Sequence, residues 1–118
     1  MNPNKITGNK GEEIAVDFLR QKGFFILERN WRYQHLEVDI IASHNGTLHF
    51  IEVKTRNSLQ YGYPEESITK EKMNHLKRAS TIYHYTHPTW KRLQFDVVAI
   101  TLANGEIKEI FMNEDVYF

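Results

Sequence analysis

The sequence predicts an α/β domain, a mixed β-sheet flanked by helices in the order α-β-β-β-α-β-β. Three observations carry that expectation. Two separate segments place apolar residues at helical spacing, two Asn-Gly dipeptides are framed by strand-like runs, and 41% apolar with 13% aromatic content suffices for one core.

Taken in order, Thr7 to Lys22 reads as a helix: Ile14, Ala15, Phe18 and Leu19 recur on one side and Gly23 supplies the stop. Gly8 and Gly11 fall on that same side, where they permit close backbone approach at a helix-propensity cost of roughly 1 kcal/mol each. Glu12 lies at the edge of the apolar stripe and Glu13 opposite it, so only Glu12 can lean inward. Phe24 to Asn30 is rich in strand formers. Residues 36 to 55 then read as a β-hairpin about Asn45-Gly46. Arg56 to Glu66, with Gly62 and Pro64, reads as a loop. Ser67 or Thr69 can cap a second helix that buries Met73, Leu76, Ala79 and Tyr83 and ends near His87-Pro88. Leu93 to Leu102, a turn at Asn104-Gly105 and Ile107 to Phe111 make a last hairpin.

A length of 118 residues, with no repeat and no low-complexity linker, argues for one domain spanning 1–118. No apolar run is long enough to cross a bilayer, and Met1 to Lys5 leads into polar sequence, so a cytoplasmic, non-membrane protein is expected. The absence of cysteine excludes thiol catalysis and thiolate metal sites. Fifteen basic residues balance 15 acidic ones, so any nucleic-acid binding must come from local charge. Residues 68–92 supply it, with six basic residues against Glu71, whereas residues 93–118 hold five acids against Lys108.

The chemistry concentrates in the first hairpin. Alternation puts Glu37 and Asp39 on a face opposite Val38 and Ile40, and Phe50, Glu52 and Lys54 on a face opposite Ile51, Val53 and Thr55. A two-residue turn at Asn45-Gly46 pairs His44 with Thr47, which sets Asp39 opposite Glu52 and Glu37 opposite Lys54. Opposed residues have Cβ atoms about 4.5 to 5.5 Å apart, and like charges so placed repel. Such a pair requires a proton, a cation or a metal. Mg²⁺, with Mn²⁺ as a substitute, suits two carboxylates completed by water and phosphate oxygens. Lys54 would sit beside it, and Glu12 is a further ligand or water-orienting acceptor. Glu-x-Lys alone on a strand is more often a solvated face with a cross-strand ion pair. The opposed Asp39, the turn that sets register and Glu12 beside Gly11 shift that balance.

At these residues the sequence resembles the PD-(D/E)xK nuclease superfamily, the restriction-endonuclease-like fold. More closely, Gly8-x-x-Gly11-Glu12, Arg29-Asn30-Trp31-Arg32, Glu37 to Ala42, Phe50 to Arg56, Tyr61-Gly62, Lys72 with Leu76 and Ala79, and Phe95 to Val98 resemble the small bacterial YraN-like family, over residues 5 to 102. That family is regarded as a group of predicted endonucleases similar to archaeal Holliday-junction resolvases. The resemblance implies a restriction-endonuclease-like sheet, a catalytic set of Glu12, Asp39, Glu52 and Lys54, Mg²⁺ on Asp39 and Glu52, and, as in related resolvases, a homodimer. The chain departs from the pattern at Leu36, where Gly is usual, at Val38, which replaces Pro, and at Gln94, which replaces Arg.

Around this core, Arg56 and Tyr61 follow the acidic hairpin as substrate contacts. Lys72 lies on the apolar stripe of the second helix, where snorkelling and phosphate binding are equally good explanations. Lys77 and Arg78, with Lys70, make a basic face. The six histidines show no ligand spacing, with His75, His84 and His87 read as surface residues. Trp31 and Trp90 are core or rim residues, and Asp96 is structural. The function expected is metal-dependent endonucleolytic cutting of nucleic acid, DNA first and branched structures among its forms. The alternative is a nuclease-fold DNA-binding or assembly module without catalysis.

Overall fold

The computed structural model describes residues 3–57 and 69–116, with side chains from Lys10 onward. Helix α1 (Pro3–Gln21) is followed by strands β1 (Phe25–Tyr33), β2 (Leu36–His44) and β3 (Thr47–Arg56), helix α2 (Lys70–Thr86), and strands β4 (Arg92–Ala103) and β5 (Glu106–Asn113). This is the expected α-β-β-β-α-β-β order. The five strands form one sheet in sequence order, antiparallel except for the parallel β3–β4 pair, which α2 joins.

The sheet is covered on both faces. Ala15, Val16 and Leu19 of α1 pack with Ile40, Ala42, Ile51, Val98 and Ile100. Met73, Leu76, Ala79 and Tyr83 of α2 pack with Val38, Ile41, Leu48, Phe50 and Phe95 on the other side. The 3.6-residue and two-residue periods read from the sequence are therefore each satisfied against a helix or strand of the other kind. Strands buried on both faces read as continuous apolar runs, and Phe95 to Leu102 of β4 is buried at every position.

Local signals explain most boundaries. Thr69 caps α2, its hydroxyl accepting from the Lys72 N–H at 3.0 Å. Asn45 and Gly46 adopt φ of 50° and 80°, the two left-handed residues of the expected hairpin turn. Helix α1 begins four residues earlier than the apolar pattern suggests, because Pro3 is compatible with a first helical turn and no apolar residue is needed there. Strand β1 extends three residues past Asn30, since Trp31 to Tyr33 pair with Leu36 to Val38. The sequence places its loop at Arg56 to Glu66; Arg56 is instead the last residue of β3, and residues 58–68 lie outside the described residues.

One close approach positions α1. A Cβ on Gly11 would overlap the Thr55 hydroxyl, so the helix crosses β3 there with no room for a side chain. The neighbouring Glu12 is thereby brought down to the sheet, half-buried, while Glu13 remains exposed. Among the described residues no helix is long and apolar enough to cross a membrane.

Candidate functional site

The hairpin register is as expected for the first five pairs, from His44↔Thr47 to Ile40↔Ile51. There the β2–β3 ladder ends, one step before Asp39 would oppose Glu52, so Asp39↔Glu52 and Glu37↔Lys54 are not strand pairs. Asp39 reaches β3 through its side chain instead. The Val53 N–H donates to Asp39 Oδ2 at 2.8 Å, so the carboxylate takes the place of a carbonyl acceptor. A second difference accompanies it: Val38 packs in the α2-side core and Ile40 in the α1-side core, although a regular strand would turn both to one face. The two strands fork at Asp39, and the fork is the site.

Glu52 stands in the fork almost fully buried, which for an ionised carboxylate demands partners. It has two. Lys72 Nζ, from the first turn of α2, donates to Glu52 Oε1 at 2.8 Å, and Lys54 Nζ lies 3.7 Å from the same oxygen. Lys72 thus has an acidic partner beside the snorkelling and phosphate binding that its place on the stripe suggests. Burial works against its ammonium, but the hydrogen bond and charge of Glu52, with Asp39 and Glu37 further off, outweigh burial and raise its pKa.

Asp39 bears the cost of the arrangement. Burial and the negative charge of Glu52 raise its carboxyl to about 7, with Glu12 adding to the effect; the Val53 N–H and Lys72 oppose it. The acid pair foreseen from the sequence is therefore accommodated in two ways, a proton retained on Asp39 and ammonium groups on Glu52.

The fold brings together Glu12, Asp39, Glu52, Lys54 and Lys72 from α1, β2, β3 and α2. Arg56 is half-buried at the end of β3, and Tyr61 lies outside the described residues. Lys77, with Lys70, Met73 and Asn74, lines a groove of about 500 Å³ along α2. Arg78 is exposed, about 100° round the helix from Lys77. Lys70, Lys77 and Arg78 thus stay within about 100° of one another on α2, while Lys72 lies well round the helix from them. Among the described residues, no three His, Asp or Glu side chains are grouped to hold a metal ion by themselves.

Sequence reasoning missed one polar cluster. His49 and Asp96 are buried, with His49 Nδ1 2.6 Å from Asp96 Oδ2. Asp96 Oδ1 also accepts from Gln94 Nε2 at 2.8 Å and from the Asp115 N–H at 2.9 Å. Asp96 is structural, as read, but its histidine partner carries no local signal, since β3 and β4 lie side by side only in the fold. Gln94 fills the position where the related pattern has Arg, and here it serves Asp96. Trp31 and Trp90 pack partly buried against the α2-side core. His75 and His84 are half-buried, not surface residues as expected; His84 Nε2 lies 2.7 Å from the Trp90 carbonyl oxygen, while His87 is exposed.

The profile of an uncharacterised protein family, UPF0102, matches residues 11–100, a span that includes Glu12, Asp39, Glu52, Lys54 and Lys72. A UPF0102 protein of Dictyoglomus thermophilum is 43% identical over 103 residues, covering 86% of this chain and 87% of its own. One from Chlorobium phaeobacteroides is 46% identical over 106 residues, covering 86% and 84%. Another, from Caldicellulosiruptor saccharolyticus, is 42% identical over 112 residues, covering 93% and 95%.

Proposed function

We propose that this chain, which belongs to the uncharacterised protein family UPF0102, is a metal-dependent endonuclease that hydrolyses nucleic-acid phosphodiester bonds, those of DNA first and of branched DNA among them. The observation that carries this reading is the fork at Asp39, where two carboxylates of neighbouring strands share a buried site with the ammonium groups of Lys54 and Lys72. A carboxyl that burial and a neighbouring charge raise to about 7 is one whose ionised form calls for a cation.

The donor set suits a hard divalent ion. Two carboxylates match Mg²⁺, which takes one or two carboxylates and keeps water and phosphate oxygens, with Mn²⁺ as a substitute. Asp39 and Glu52 would hold it. Bound there, such an ion supplies Lewis-acid polarisation of a phosphoryl oxygen. The remaining work falls to the chain's own groups. Lys54 sets positive charge where the phosphate gains negative charge. Glu12, on the helix that Gly11 lets approach, accepts from and orients the attacking water. Val53 fixes the direction of the Asp39 carboxylate. Arg56, Tyr61, Lys72, Lys77 and Arg78 contact the nucleic-acid backbone. A cytoplasmic homodimer accompanies this reading.

One observation favours the non-catalytic alternative, a DNA-binding or assembly module: Glu52 is already neutralised by Lys72 at 2.8 Å. A cleavage panel of duplex, single-stranded, flapped and four-way DNA with Mg²⁺ or Mn²⁺ separates the two. The nuclease reading predicts metal-dependent cutting that Glu52→Ala and Lys54→Ala each abolish. DNA binding that survives both substitutions, with no cutting by the unaltered protein, would establish the module.

A further inference from the structure

Asp39 stands out of both of its ladders, and its other neighbour explains why. On β1 the pairs Arg29↔Ile40 and Trp31↔Val38 flank a step at which Asn30 faces Asp39 without forming a ladder pair. Asn30 adopts φ of 53°, a left-handed conformation that Asn and Gly tolerate and that opposes a Cβ with no local hydrogen-bonding side chain. Such a residue in the middle of a strand reverses the faces on either side of it. On β2, Val38 belongs to the α2-side core whereas Ile40, two residues on, belongs to the α1-side core; on β1, Glu28 accepts from Tyr83 of α2 at 3.3 Å and Trp31, three residues on, packs on that same side. Asn30 is exposed, so packing does not account for the conformation.

We infer that Asn30 is a positioning residue, whose left-handed backbone turns the β1–β2 ribbon over at Asp39 and so delivers the Asp39 carboxylate to the Val53 N–H and to the face of Glu52. The inference rests on the reading of Asp39 as a metal ligand for its functional weight, but the geometry it concerns is independent of any metal. It assigns a purpose to the Arg29-Asn30-Trp31-Arg32 stretch, no residue of which belongs to the proposed catalytic set.

The test compares Asn30→Gly and Asn30→Asp, which keep access to positive φ, with Asn30→Ala, which resists it. Two quantities are read: hydrogen exchange of the Val53 amide by NMR, and binding of Mn²⁺ alone by calorimetry. The expected result is that Asn30→Ala loses protection at Val53 while the β3–β4 ladder stays protected, and binds Mn²⁺ about tenfold or more weakly. Asn30→Gly and Asn30→Asp should retain both. Retention of Val53 protection in Asn30→Ala would overturn the inference, as would loss of protection throughout the sheet, which would make Asn30 a general folding residue. If the unaltered protein binds no Mn²⁺, the nuclease reading fails, and the Val53 amide still decides the role of Asn30.

Discussion

Asp39 carries the electrostatic cost of the site, and its titration has a definite sign. Its carboxyl stands at 3.8 in the reference state and at about 7 in the fold, so between those values the native state holds the extra proton. Stability conferred by that proton is present below the lower value and lost as pH rises through about 7. Asp39→Asn removes the titration and the repulsion by Glu52, while its amide oxygen can still accept from Val53. Urea denaturation without metal at pH 8 should show the variant unchanged or stabilised by about 1 kcal/mol, with a flatter pH dependence from 4 to 7. A large loss would mean that the Asp39 charge stabilises the metal-free fold in spite of Glu52. Lys72 makes the complementary case. In Lys72→Met, Glu52 keeps the more distant Lys54 among the described residues, so metal-free stability should fall by roughly 1 kcal/mol. Mn²⁺ affinity should rise, since a competing cation has gone. Calorimetry showing weaker Mn²⁺ binding would contradict the view that the ammonium and the ion share Glu52.

Elements place these residues, and the closest fit among them is α1 on β3. Gly11→Ala should destabilise the protein by about 1 to 3 kcal/mol, because the added methyl meets the Thr55 hydroxyl. Thr55→Ala in the same chain should recover part of that loss; simple additivity in denaturation midpoints would show that the two do not touch. The element scale is also where the sequence was most legible. The Asn45-Gly46 turn, the Thr69 cap and the Met73, Leu76, Ala79 and Tyr83 stripe are local signals, each written within a few residues. The Asp39 fork was less so. Alternation and turn length correctly carried the register to Ile40↔Ile51 and then failed, because the event that ends the ladder is a backbone conformation at Asn30 on a third strand. Lys72 on Glu52 and His49 on Asp96 were hidden for the same reason, since each pair joins elements whose adjacency only the fold creates.

At the scale of the whole molecule the sheet separates two polar constructions by face. Glu52 lies on the α2 side with Lys72, whereas Asp96 projects to the α1 side, where it ties β3, β4 and the segment after β5 through His49, Gln94 and Asp115. Asp96→Ala should cost about 3 kcal/mol, as expected when one partner of a buried pair is removed, and should leave Mn²⁺ affinity unchanged in protein that remains folded. Denaturation together with calorimetry checks both parts, and a change in Mn²⁺ affinity would show that the faces are coupled. The central claim is that Asp39 and Glu52 converge on one divalent ion. The most direct measurement is an electron paramagnetic resonance titration of Mn²⁺ at pH 8 into the unaltered protein, Asp39→Ala and Glu52→Ala. One saturable site in the unaltered protein, lost in both variants, is the predicted result; no binding by the unaltered protein, or binding that both variants retain, would contradict the account.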